Sequence, residues 1–329
     1  MSLKDTMSLE EFLAEWRNES PYVEVKTSGS TGEPKPMLVE KQRMLASARR
    51  TNDFLGLQKG DTALLCMSLD YIAGKMMVVR TVERGLKLEC VEPSGHPLKM
   101  WSVDCSIDFA AMVPMQVYNS LLVPEERERL KQIKHLIIGG GAIDEALAEE
   151  LKTFPNNVWS TYGMTETLSH IALRRLSGPE ASEWYTPFPS VKIGLNDEGC
   201  LVIDAPEVCE ERLVTNDIAV LKGDAFRILG RKDNVICSGG IKIQAEEVER
   251  LLRSHMRVPY LISKRPDAKF GEVVVLLTEG DVEAARAVCE AVLQKYQRPK
   301  AYVHVSQIPL TETKKPARRQ AELLAKIEG

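Results

Sequence analysis

The chain has 329 residues, 44% hydrophobic and 27% charged, the proportions of an ordinary folded protein with room for two domains and a substantial core. A formal net charge of −4 leaves no basic excess to neutralise a phosphate backbone, which excludes nucleic acid as the expected partner. The seven cysteines form no CxxC pair or metal-ligand cluster and read as reduced thiols of a cytoplasmic protein, and no apolar run reaches the roughly 18 residues of a membrane span.

In chain order, Ser8 is the expected N-cap of an amphipathic helix, SLEEFLAEWRNE, and YVEVKT is a short strand feeding the loop TSGSTGEPKP, residues 27–36. TALLCMSL and LKLECVEP are strand candidates around a helical YIAGKMMVVRTVERG. HLIIGGGAI is an apolar strand breaking into glycine before the helix DEALAEELKTF. This alternation predicts an α/β fold built on crossover units. From about Gly194 the pieces shorten to GCLVID and RLVTNDIAVLK, a small β subdomain. After FRILGRKDN the pattern restarts, with VICSGGIKI as strands, QAEEVERLLRSH as a helix, EVVVLLTE as a strand and DVEAARAVCEAVLQKY as a helix. The expected organisation is a large domain over residues 1–230 and a small α+β domain over 231–329.

The loop after the first strand has a chemical reading. Backbone N–H groups not shielded by large side chains, the hydroxyls of Thr27, Ser28, Ser30 and Thr31, and the Lys35 ammonium make a cradle for anionic oxygens, with polyphosphate as the natural ligand. The spacing departs from GxxxxGK[ST], since only Gly29 and Gly32 precede Lys35 and no Ser or Thr follows it. Taken alone, the loop is equally consistent with a flexible surface linker.

In context the loop resembles the phosphate loop of the adenylate-forming acyl-CoA synthetase superfamily. Four further stretches fit that family in the same order: GGGAI from Gly139, YGMTE from Tyr162, TNDIAV containing Asp217, and GRKDNVICSGGIKIQAEEVE from Gly230. The resemblance implies a two-step reaction in which a carboxylate attacks the α-phosphate of ATP, and a thiol, usually that of coenzyme A, then displaces AMP. The first step needs no general base, because a carboxylate is already ionised at neutral pH.

The resemblance also implies roles. Thr27, Ser28, Gly29, Ser30, Thr31, Gly32 and Lys35 would hold the β/γ-phosphates. Thr165 would contact the α-phosphate and Glu166 a Mg²⁺ ion, a hard cation suited to carboxylate and phosphate oxygens. Gly139, Gly140, Gly141 and Tyr162 would flank the adenine, while Asp217, helped by Arg231, would accept the ribose hydroxyls. Asp233 falls at the family's hinge, and Gly239, Gly240 and Lys242 on the face serving the thioester step. In IPLTETKKPARR, Pro309, Thr311 and Lys315 follow the family's ending, making Lys315 the expected adenylation lysine with Lys314 as its rival.

Relatives usually carry roughly a hundred or more residues before this loop, whereas 26 stand here. The expectation is a shortened N-terminal domain, with its acyl-pocket wall and its homodimer surface left open. TYGMTETLSHIALR and DYIAGKMMVVR look most like the o-succinylbenzoate:CoA ligases of menaquinone biosynthesis. Tyr71 and Lys75, one helical turn apart, and Gly163 are the candidates for the acid pocket, whereas Arg80, about 140° further round the helix, is expected to face elsewhere. His170 reads as a satisfied core histidine. Another aryl- or acyl-CoA ligase, or an adenylation enzyme acting on a carrier protein, is the alternative. A catalytically silent nucleotide-binding protein is disfavoured by the intact Lys315, Glu166, Asp217 and Arg231.

Overall fold

Ser8 opens α1 (Leu9–Arg17) through a capping box, its hydroxyl accepting from Glu11 N at 3.2 Å while the Glu11 carboxylate accepts from Ser8 N at 2.7 Å. The computed structural model describes residues 6–26, 36–101, 106–141, 143, 145–311 and 316–326. The chain divides into two compact units. The first comprises Met1–Ile193, Ile203–Leu213 and Lys222–Phe226; the second comprises Gly194–Val202, Val214–Leu221 and Arg227–Gly329.

In the first unit, β1 (Tyr22–Lys26) and β2 (Pro36–Glu40) pair antiparallel, with Lys26 opposite Pro36. After α2 (Lys41–Leu55) come β3 (Thr62–Leu65), α3 (Ile72–Arg84), β4 (Lys87–Cys90), β5 (Phe109–Met112), α4 (Pro114–Leu121), α5 (Pro124–Gln132), β6 (His135–Ile138), α6 (Glu145–Lys152), β7 (Asn157–Gly163), β8 (His170–Arg175) and β9 (Thr186–Pro187). The strands form one sheet in the order β4-β3-β5-β6-β7-β8-β9. The first five run parallel and the last two add antiparallel. Parallel strands need crossover helices, which cover both faces, and every residue of β5 and β6 is accordingly buried. Leu64, Met112, Leu136, Ile138 and Val158 from the strands pack with Val117, Leu130 and Leu151 from the helices. Each such fully buried aliphatic side chain stabilises the fold by roughly 1.5–3 kcal/mol. Proline at the first turn starts both α4 and α5, where its missing N–H costs nothing.

Next along the chain, β10 (Lys192–Leu195), β11 (Cys200–Asp204), β12 (Leu213–Lys222) and β13 (Ala225–Arg231) form a four-stranded sheet in that order, the small β subdomain anticipated from the sequence. The second unit continues with β14 (Val235–Ser238), β15 (Ile241–Gln244), α7 (Ala245–Leu252), β16 (Tyr260–Asp267), β17 (Gly271–Thr278), α8 (Val282–Val292), β18 (Ala301–His304) and α9 (Arg318–Leu324). Its sheet runs β15-β14-β17-β16, with β18 parallel to β17. Residue alternation splits two cores across it: Ile262, Val274 and Leu276 face α7 and α8, while Leu261, Val275 and Leu277 face α9. Helix α8 is shorter than the periodicity of DVEAARAVCEAVLQKY suggests. Leu293 turns to extended backbone (φ −90°, ψ 146°), where its side chain stays in the core, and the Gln297 side chain accepts from Gln294 N in the turn that follows. Among the described residues no helix is long and apolar enough to cross a membrane.

Candidate functional site

The chain leaves β3 toward β4 on one side and returns to β5 on the other, so strand order reverses between β3 and β5. In open α/β sheets the crevice outside the carboxyl ends at such a reversal is where ligands bind. A buried glutamine fastens those ends: Gln116 Nε2 donates to Cys66 O at 3.1 Å and to Ser94 O at 2.9 Å, and its Oε1 accepts from Val113 N at 3.1 Å.

Two of the sequence motifs stand on the same edge. Gly139–Gly141 follow β6 directly, with Gly139 N donating to Met112 O at 3.0 Å. A Cβ on Gly139 would meet Thr161 Oγ1 at 2.4 Å, and Gly140 has φ +78°, so backbone lies open where side chains would crowd a planar ligand. Tyr162 stands one residue before the end of β7, its ring edge-on to Phe226 with centroids 5.0 Å apart. Phe226 stacks on Tyr185, whose hydroxyl meets Ser160 Oγ at 2.8 Å, so the Tyr162 ring has a rigid aromatic backing.

Beyond Gly163 the chain makes a 3₁₀ turn, Thr165–Thr167. Met164 N donates to Thr167 Oγ1 at 3.0 Å, Leu168 holds φ +65°, a left-handed value for a leucine, and the backbone then enters β8. Thr165 is buried and Glu166 exposed. An exposed carboxylate on this turn suits a Mg²⁺ ion that takes most of its other ligands from phosphate and water. Among the described residues there is no cluster of three or more His, Cys, Asp or Glu side chains that would hold a metal unaided.

Gly163 is required sterically. A Cβ there would lie 2.2 Å from Ser169 O and 2.5 Å from His170 Cα, so only glycine lets the first strand of the turn touch the last. Ser169 Oγ in turn accepts from Arg80 Nη2 at 2.6 Å. Arg80 is buried within α3, where residues Gly74 to Thr81 are all buried. Among the described residues its Nε has no hydrogen-bond partner and its Nη1 only the Met77 sulfur at 3.7 Å. No carboxylate of the described residues forms an ion pair with it, and burial lowers its pKa to about 10. A buried cation in this state favours an incoming anion.

Lys75 is placed differently from its sequence expectation. It is also buried, but its Nζ donates to Glu24 O at 2.6 Å, lies 3.4 Å from Glu15 Oε2 and sits over the Phe12 ring. Tyr71 is the N-cap residue of α3 and is exposed, so the two do not form one acid-facing pair. The sequence marker of Arg80 is a lone cation inside the apolar run MMVVRTV; counting helix faces from Lys75 pointed it elsewhere. His170 is buried, with Nε2 3.0 Å from Thr51 Oγ1, and desolvation, reinforced by Arg80 and Arg50, holds its pKa well below the ordinary value.

In the second unit, Arg231 Nη1 lies 3.5 Å from Asp217 Oδ1 and its Nη2 3.1 Å from Asp233 Oδ2. Asp217 N donates to Thr215 Oγ1 at 3.1 Å, fixing the turn that presents its carboxylate. Gly239 and Gly240 form the two-residue connection of the β14–β15 hairpin with φ +57° and +83°, both in the left-handed region that such a turn demands. Lys242 is exposed on β15. The loop residues Thr27, Ser28, Gly29, Ser30, Thr31, Gly32 and Lys35, and the pair Lys314 and Lys315, lie outside the described residues.

Comparison with known proteins bears on the same features. The 2-succinylbenzoate–CoA ligase of Bacillus cereus is 26% identical, in an alignment covering 98% of this chain and 73% of that protein. The structure of an acyl-CoA synthetase (AMP-forming)/AMP-acid ligase II-like protein from Dyadobacter fermentans superposes with a TM-score of 0.65 at 34% identity, covering 94% of this chain and 91% of the other. The o-succinylbenzoate coenzyme A synthetase of Bacillus subtilis, solved with ATP and magnesium ion, shares the fold with a TM-score of 0.76 at 23% identity, over 90% of this chain and 69% of that one. Residues 6–207, more than half of the chain, match the AMP-binding enzyme family, and the chain belongs to that family.

Proposed function

We propose that this chain is an ATP-dependent acid:CoA ligase whose acid is o-succinylbenzoate, the dicarboxylate activated in menaquinone biosynthesis. The observation that carries the substrate is Arg80, a buried guanidinium without an ion-pair partner among the described residues, held against Ser169 beside Gly163. It offers a charge-assisted contact to the carboxylate that does not react. The family match and the similarity to 2-succinylbenzoate–CoA ligases support the reaction type.

In the first step a carboxylate oxygen of the acid bonds to the α-phosphorus of ATP and the bond to the β-phosphate bridging oxygen breaks, releasing pyrophosphate. In the second, the CoA thiol loses its proton and its sulfur bonds to the acyl carbon, releasing AMP. Tyr162 and Gly139–Gly141 flank the adenine, Asp217 and Arg231 take the ribose, and Thr165 contacts the α-phosphate. Residues 27–32 and Lys35 hold the leaving phosphates. Glu166 would hold Mg²⁺, which neutralises phosphate charge. Lys315 serves adenylation, Asp233 is the hinge between the two steps, and Gly239, Gly240 and Lys242 serve the second. We place the enzyme in the cytoplasm and take a homodimer as the oligomer to test.

Pyrophosphate release measured across a panel of carboxylic acids, with and without CoA, tests the reading. We expect Mg²⁺-dependent release with o-succinylbenzoate and formation of its CoA thioester. Turnover of benzoate or a fatty acid but not of o-succinylbenzoate would end the substrate assignment, and silence with every acid would end the ligase assignment.

A further inference from the structure

Behind Arg80 runs an unbroken line of polar groups, all buried except the half-buried Ser169. Arg80 Nη2 reaches Ser169 Oγ at 2.6 Å, Ser169 Oγ lies 3.3 Å from His170 Nδ1, His170 Nε2 lies 3.0 Å from Thr51 Oγ1, and Thr51 Oγ1 donates to Ser47 O at 3.2 Å. Hydrogen counting gives the line one direction. The single Thr51 hydroxyl hydrogen goes to the Ser47 carbonyl, so Thr51 Oγ1 accepts, and His170 must carry its proton on Nε2. Nδ1 then bears the lone pair that takes the Ser169 hydrogen, which turns the Ser169 lone pairs toward the guanidinium. A protonated His170 would reverse this, because both ring nitrogens would donate and Ser169 would have to accept from two cations at once.

The line is anchored at both ends. Thr51 belongs to α2, whose Asn52 also donates to Arg80 O at 3.0 Å, so one turn of α2 holds both the arginine backbone and the far end of the relay. At the other end, Ser169 and His170 are pressed against Gly163, and the ring of His170 rests beside Phe188 with centroids 5.7 Å apart.

We propose that Ser169, His170 and Thr51 are positioning residues that orient the Arg80 guanidinium toward the non-reacting carboxylate, and so set the enzyme's preference for a dicarboxylic acid. The proposal rests on the acid assigned above. A role in packing alone would affect every acid alike; a role in aiming Arg80 affects only acids that carry the second carboxylate.

The test compares o-succinylbenzoate with 3-benzoylpropionate, the same acid without its ring carboxylate, in wild-type enzyme and three variants. In His170→Leu, KM for o-succinylbenzoate should rise about tenfold or more, while KM for ATP and for 3-benzoylpropionate stay within about twofold of wild type. His170→Gln, whose amide can donate to Thr51 and accept from Ser169, should recover most of the loss. Thr51→Val, nearly isosteric, should show the same acid selectivity at smaller amplitude and keeps the test open if the leucine variant folds poorly. Equal losses for the two acids, or no rise in KM in any variant, would overturn the relay. Wild-type enzyme that ignores o-succinylbenzoate would instead overturn the proposed function on which the relay depends.

Discussion

Arg318 closes on Glu249 fork to fork, Nη1 to Oε1 at 2.6 Å and Nη2 to Oε2 at 2.8 Å. Nη1 also donates to Ile262 O and Oε1 also accepts from Ile262 N, so one ion pair ties α7, β16 and α9 together. The two side chains are 22% and 13% exposed, which leaves little water to replace a lost partner. Arg318→Ala should therefore destabilise this unit by roughly 2–3 kcal/mol, with Arg318→Lys recovering only part because lysine lacks the fork. Chemical denaturation followed by circular dichroism measures it; an unchanged midpoint in the alanine variant would contradict the anchoring role.

At Gly163 a single methyl group is expected to be costly. Its position, 2.2 Å from a backbone oxygen that cannot step aside, forces the β7 end and the Ser169 backbone apart. We expect Gly163→Ala to lower kcat/KM by at least about tenfold, or roughly 1.4 kcal/mol. Since Tyr162, proposed to flank the adenine, adjoins it, KM for both ATP and acid should rise. Wild-type kinetics in that variant would show that the turn can relax.

The neutral His170 carries a pH signature. Its pKa in the folded protein is depressed, chiefly by burial and then by Arg80 and Arg50, below the value of about 6.5 it has when unfolded. The unfolded chain therefore binds the extra proton first as pH falls. The stability linked to this residue is present above about pH 6.5 and is lost progressively as the solution is acidified toward the folded-state pKa. Melting temperature should drop between about pH 7 and pH 5, and His170→Gln should flatten that dependence. A variant as pH-sensitive as wild type would assign the titration to other groups.

Separate assays of the half-reactions test the lysine proposed for adenylation. Lys315→Ala should lose pyrophosphate release by orders of magnitude yet still convert preformed acyl-adenylate and CoA to thioester, because a lysine in the proposed role would stabilise charge only in the first transition state. The same pattern in Lys314→Ala instead would move the assignment by one residue.

Much of this architecture can be read from local sequence. The Ser8 cap, the strands β3 and β6, the helices α3 and α6 and the tight turn at Gly239 and Gly240 each depend on residues within one turn or one repeat of each other. The strand-end positions of Gly139–Gly141 and Tyr162–Glu166 were legible for the same reason, since each is a short run following or closing a strand. What escaped depends on the fold. Helical periodicity assumes a wet face and a dry face, but α3 is buried continuously from Gly74 to Thr81, so Lys75 and Arg80 both point into protein on different sides. Arg80 meets Ser169 across 89 positions of sequence, a contact that exists only once β8 has joined the sheet.

The two rims of the seven-stranded sheet have a consequence for handling the protein in solution. One rim is β9, two residues long and ending in Pro187, which has no N–H to offer a newcomer. The other is β4, which presents the exposed charges of Lys87 and Glu89. Strand rims with free backbone groups recruit further chains, and brevity, proline and charge are the devices that discourage it. A parallel sheet of this kind, which assembles slowly from distant segments, is thereby shielded at its margins from growing into aggregates once it has formed.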